Sequence, residues 1–126
     1  MHLPTRAVIR ETYRRLSSDF GDGDCQIDDV KIRAALAWPR MMVTSKSSSD
    51  IFEVVLSLFT GVISEQPASK GNASLAILLV MMTLRRNGFL LDLTNDDILK
   101  LFSSIAKGGM NEKSLIGFFQ QKSIPL

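Results

Sequence analysis

The sequence offers one cysteine, Cys25, and one histidine, His2, for sulfur and imidazole chemistry. A lone cysteine forms no intramolecular disulfide, and one Cys with one His assembles no zinc set. No metal or other cofactor is therefore expected, and a reducing, cytoplasmic setting is the default. Long apolar runs are also missing. The longest, Leu75 to Leu84, is about half of the roughly 20 residues a membrane span needs, and MHLPTRAVIR lacks the apolar region of a secretion signal. A soluble protein with no membrane partner is expected. Charge of one sign is scarce too, since a formal net charge of +2 does not by itself imply nucleic acid. What is present is 126 residues, 45% apolar and 22% charged, which suits one ordinary domain over residues 1–126.

The apolar spacing is helical almost throughout. Thr5 is placed to cap a first helix, in which Val8, Ile9, Thr12, Tyr13 and Leu16 share a face, and the helix ends before Gly21. FGDGDCQIDD reads as a turn, because it lacks the alternating ligands and the twelfth-position glutamate of a calcium loop. Asp28 or Asp29 then caps a short helix carrying Ile32, Ala35 and Leu36. Pro39 disfavours helix at Trp38 and closes that helix at Ala37. Arg40 to Ser48 is expected as a short hairpin or irregular flap before the third helix. Ser49 is a cap for that helix, whose apolar face is Ile51, Phe52, Val55, Leu58, Phe59 and Val62.

The loop EQPASKGNASLA follows, with Asn72 where an N-cap belongs, and LAILLVMMTL then runs apolar on every side. A helix without a polar face sits centrally in a bundle. Arg85, Arg86, Asn87 and Gly88 mark its end, with cations at the negative end of the dipole and glycine at C′. Thr94 and Asn111 cap two further amphipathic helices separated by Gly108 and Gly109. The expected fold is all-α: a compact single-domain bundle of about six helices around the Leu75 to Leu84 segment.

This order of elements, with QPASKGNASLA at its centre, resembles the Fic/Doc family and its short death-on-curing branch. That family carries a loop motif HPFxDGNKRTA followed by an apolar helix ending in a phrase such as LRxNG. Here AILLVMMTLRRNG continues the loop without a gap. Upstream, IDDVKIRAALAWPR is similar to the family's IRDPGLLESALARPR, and SSSDIFEVVLSLFTGVI matches the helix before the motif. The resemblance covers about Leu3 to Phe119.

The resemblance implies what each loop position would do, and most of the chemical side chains are replaced. Gln66 stands where active members place a histidine general base, and an amide does not accept a proton at physiological pH. Lys70 stands at the acidic position that serves metal or phosphate, reversing its charge and repelling Mg²⁺. Ala73 and Ser74 replace the phosphate-neutralising Lys-Arg pair, and Ala68 replaces the anchoring aromatic. Pro67, Gly71, Asn72 and Ala76 keep the turn. A weak anion site at Lys70, Gly71 and Asn72 is the residual expectation, from first-turn amides and one cation. The family's substrate-aligning flap maps to Thr44, Ser45 and Lys46.

No substitute catalytic group stands out. His2 precedes the first helix, Glu65 would reach the motif position only by a register slip, and Cys25 has no histidine partner. The first functional expectation is therefore a catalytically degenerate Fic/Doc-like protein that works by binding. Its implied partner is a helical protein segment held in a groove, in a regulatory or toxin–antitoxin setting. The alternative is a divergent nucleotide-dependent phosphotransferase or adenylyltransferase, argued from fold alone. A third reading takes Arg6, Arg10 and Arg14, at i, i+4 and i+8, as a basic stripe docking an acidic partner or nucleic acid. The plainer account of that stripe is a solvated face with a Glu11–Arg15 pair, and no aromatic residues or known reader motif accompany the arginines.

Overall fold

The computed structural model describes residues 1–19, 25–45, 50–108 and 111–126. Among these residues lie six α-helices, α1 (Arg6–Ser18), α2 (Asp29–Ser45), α3 (Ile51–Glu65), α4 (Asn72–Arg86), α5 (Asn95–Lys107) and α6 (Glu112–Lys122). A two-stranded antiparallel sheet of β1 (Phe89–Leu91) and β2 (Ser123–Pro125) completes the all-α bundle.

The helix starts follow local chemistry. The Thr5 side chain accepts from the Val8 amide, and Asn111 accepts from the amides of Lys113 and Ser114. Thr94 and Asp97 exchange bonds in a capping box at α5. Asp28, not Asp29, holds the start of α2, its carboxylate accepting from Val30 N–H and Lys31 N–H. Ser49 lies outside the described residues, and Asp50 caps α3 by accepting from Phe52 N–H. At the far end of α4, Gly88 takes φ 95°, a left-handed conformation that favours glycine.

The core is built on α3 and α4. Val55, Leu58 and Phe59 of α3 meet Leu75, Leu79 and Leu84 of α4, all fully buried. Each such side chain contributes roughly 1.5–3 kcal/mol relative to exposure. From one side α2 supplies Ile32 and Leu36, and from another α6 supplies Phe119, whose ring meets Phe59 edge-on at 5.6 Å. The apolar α4 is buried along most of its length, with Met82, Arg85 and Arg86 reaching solvent. α3 shares the centre, packing on α2, α4 and α6.

The sequence expectation fails at Pro39. α2 does not stop at Ala37 but runs through Pro39 to Ser45, so Thr44 and Ser45 are its last two residues and form no flap. Ser45 Oγ donates to Met41 O at 2.6 Å, a helical i−4 bond. Lys46 lies outside the described residues. Pro39 brings no N–H to the carbonyl of Ala35, four residues back. That carbonyl faces Gly61 of α3 so closely that a methyl group on Gly61 would stand 2.7 Å from Ala35 O. Pro39 itself is buried. The helix therefore continues through its proline beside a packed neighbour, with one internal bond fewer.

The short sheet was not expected from sequence. Phe89, Leu90 and Leu91 pair with Pro125, Ile124 and Ser123. The Leu126 amide donates to Gly88 O at 2.9 Å. One residue earlier, the Asn87 side chain receives the His2 amide at 2.9 Å and donates to His2 O at 2.8 Å. No helix among the described residues is long and apolar enough to cross a membrane.

Candidate functional site

The motif loop starts where α3 ends. Gln66 closes that helix in the left-handed conformation, φ 50° and ψ 62°, and among the described residues it is the one non-glycine with positive φ. A long side chain there is strained by about 1–3 kcal/mol, so neighbouring contacts must hold the turn. They are present in number. Pro67 O accepts from Asp28 N–H at 2.8 Å and Ser69 N–H donates to Gln26 O at 2.8 Å, on either side of an Ile27–Ala68 bridge. Ser69 Oγ accepts from Gln26 N–H at 2.9 Å. Beneath them Tyr13, 2% exposed, donates its phenolic O–H to Lys70 O at 2.8 Å.

Asn72 corrects a second expectation. It is the first residue of α4, and the N-cap is Gly71 at φ 81°, which caps with no side-chain bond. The Asn72 amide turns back on the loop, accepting from Ala68 N–H and donating to Ala68 O, both at 2.9 Å. Its side chain is thus engaged within the protein. Ala68, whose backbone this clamp holds, is buried.

Two open clefts flank the Gln26–Ile27 segment. One, of about 340 Å³, is lined by Gln26, Asp28, Lys31, Gln66, Pro67 and Ser69. The other, of about 710 Å³, is lined by Arg10, Glu11, Tyr13, Arg14, Cys25 and Gln26. Gln66 and Lys70 are exposed, whereas Ala73 and Ser74 are half-buried in the first turn of α4. Glu65 is exposed on the last turn of α3. Burial pushes the Tyr13 phenol up, with Ser69 and Cys25 hydrogen-bonded beside it. The Tyr13 hydroxyl is therefore a proton-bearing structural pin at neutral pH. His2 is placed at the opposite pole, its backbone fastened to Asn87, about 22 Å along α4 from the loop at 1.5 Å per residue.

The arginine stripe of α1 divides in two. Arg14 grips Glu11 with two bonds, Nε–H to Oε2 at 2.9 Å and Nη2–H to Oε1 at 2.7 Å, and Arg15 Nε–H joins at 3.2 Å. The Arg14 guanidinium leads in holding the Glu11 carboxyl down at about 2. The expected Glu11–Arg15 pair is present, with Arg14 as the stronger partner. Arg6 and Arg10 turn the other way, to Asp29 of α2.

A third surface mixes apolar and polar side chains. Between α2, α3 and α6 lies a cleft of about 380 Å³ lined by Trp38, Met42, Glu53, Leu56, Thr60 and Ile116, among others. Trp38 is 66% exposed, and Met41 on the same helix is 54% exposed. Trp38, which precedes a proline expected to end the helix, stands on a helix surface because α2 continues through Pro39. Tyr13 was likewise read as one apolar-face residue. Its signal was being the chain's one tyrosine, a polar tip on a buried stripe.

No protein-family model matches this chain, and a search of curated proteins finds no match either.

Proposed function

We propose that the chain is a non-catalytic binding module on a Fic/Doc-like helical scaffold, acting through protein contacts. The observation that carries this reading is the motif loop. Its fixed polar groups, the Asn72 amide, Ser69 Oγ and Lys70 O, are engaged in holding the turn. The side chain at the position of the family's general base is an exposed glutamine. An amide at that place has no proton chemistry to offer. The binding surface we assign is the Trp38 cleft, where apolar Trp38, Met42 and Ile116 alternate with polar residues in a way that suits an amphipathic helix laid between α2 and α6. Glu112 in its lining favours a helix flanked by Lys or Arg. The setting we infer is cytoplasmic, in a regulatory or toxin–antitoxin-type interaction.

The test replaces Trp38 with a photo-crosslinking phenylalanine in the full chain, with the same residue at exposed Leu99 of α5 as reference. A single crosslinked protein, seen from position 38 and absent from position 99, is expected. Its crosslinked stretch is predicted to be helical and basic-flanked. Crosslinking that is equal at both positions would refute the assigned surface. Calorimetry with ATP and Mg²⁺ addresses catalysis separately: no saturable heat is expected, and turnover of nucleotide would overturn the non-catalytic reading.

A further inference from the structure

We propose that Arg6, Arg10 and Arg33 form a binding site for a phosphoryl dianion, separate from the motif loop and from the Trp38 cleft. The three guanidinium groups come from two helices and converge on one carboxylate. Arg6 Nη1 lies 2.6 Å from Asp29 Oδ2, Arg33 Nε 3.5 Å from the same oxygen, and Arg10 Nη1 3.9 Å from Oδ1. Three cations thus face a single anion. Among the described residues, no second carboxylate pairs with these three arginines. Asp28 turns its carboxylate onto the amides of Val30 and Lys31, and Glu11 is occupied by Arg14 and Arg15.

A guanidinium carries five N–H donors. Among the described residues, the hydrogen bond these three forks make is the single one from Arg6 Nη1–H to Asp29. Asp29 therefore gathers the three forks while taking up one of their donors in a hydrogen bond, and the side chains remain 41%, 51% and 61% exposed. Their i,i+4 spacing on α1, and that of Asp29 and Arg33 on α2, keeps the cluster within one helical turn on each side. A phosphoryl group brings a charge near −2 and three acceptor oxygens, which matches the residual charge and the planar forks. A nucleic-acid backbone offers one charge per phosphate along a track, and here the track is broken because Arg14 and Arg15 are bound to Glu11.

The test follows the arginine Nε–H resonances of the intact protein by NMR. The probes are a phosphoserine peptide, its unphosphorylated form and inorganic phosphate. Saturable shifts are expected for Arg6, Arg10 and Arg33, with Arg15 unmoved, and affinity should rise about tenfold between pH 5 and 7.5 as the second phosphate proton leaves. Arg33→Gln should weaken binding about tenfold or more with an unchanged melting temperature, and Arg10→Gln provides an independent second variant. Tighter binding of the phosphopeptide than of inorganic phosphate assigns the ligand to a modified protein, and the reverse order assigns it to a small phosphate compound. Either order supports the site. Equal response to the unphosphorylated peptide, saturation only above about 10 mM, or indifference to both substitutions would overturn it.

Discussion

Gly61 is the point where α2 and α3 touch backbone to backbone, and replacing it with alanine gives a quantitative test of that contact. A methyl group there would stand 2.7 Å from Ala35 O, 3.3 Å from Ala35 Cα and 3.4 Å from Ala35 C. Ordinary contact requires roughly 0.5–0.7 Å more room at the oxygen. The obstacle is backbone, with no flexible tip to swing aside, so the helices must separate. Overpacking of this kind costs about 1–3 kcal/mol. Against it, Gly→Ala within a helix gains about 1 kcal/mol of propensity. With a rigid obstacle the cost falls in the upper half of its range, leaving a net loss of about 1–2 kcal/mol. For a chain of this size that is a drop of about 3–10 °C in melting temperature. Gly117→Ala is the matched control, because it lies in α6 with nothing within 4 Å of the added carbon. It should stabilise by up to about 1 kcal/mol. Urea denaturation and calorimetry of the two variants read both signs. Stabilisation by both substitutions, or neutrality of Gly61→Ala, would show that the helices do not approach as described.

Tyr13→Phe removes the bond to Lys70 O and should cost about 1–2 kcal/mol, with faster amide exchange at Ser69 as its local signature. Asn72→Ala breaks both bonds to Ala68 and should cost about 1–3 kcal/mol, again loosening the loop first. Asp97 is held below the usual carboxylate range chiefly by the Thr94 backbone N–H, with Lys122 Nζ 3.4 Å away. A depressed carboxyl stabilises the fold above its unfolded value near 3.9, and that contribution fades as pH falls through the folded value. The melting-temperature gap between the native protein and Asp97→Asn should therefore be constant at pH 6–8 and close below about pH 4. A gap that widens with acid would contradict the assignment.

Much of the frame was legible in the sequence because the end signals act locally. Thr5, Thr94, Asn111 and Gly88 each do their work within four residues, so neighbouring sequence was enough to place them. Pro39 escapes a local reading because its cost depends on what lies across the helix: α2 continues through it, with Ala35 O set against Gly61, 22 positions beyond the proline. The β1–β2 pair joins residues more than 30 positions apart in three-residue strands, too short for any alternating pattern. At the loop, the turn-forming role of Gly71 was readable, whereas the task of Asn72 was not. Asparagine is a good cap in isolation, and here Gly71 takes the cap position and frees the amide to clamp Ala68. The α1 arginines formed one stripe by spacing alone. Asp29, brought in by tertiary packing, is what parts Arg6 and Arg10 from Arg14.

The fastening of His2 to Asn87 and of Leu126 to Gly88 brings both ends of the described chain to neighbouring residues at one pole of α4. A fluorophore, a surface linker or a fused protein joined at either end would therefore depart from the same spot. Attached there to a sensor chip, the molecule would turn its Gln66–Gly71 loop toward the solution. Joining the two ends through a few residues and reopening the chain elsewhere would leave that loop's hydrogen bonds untouched.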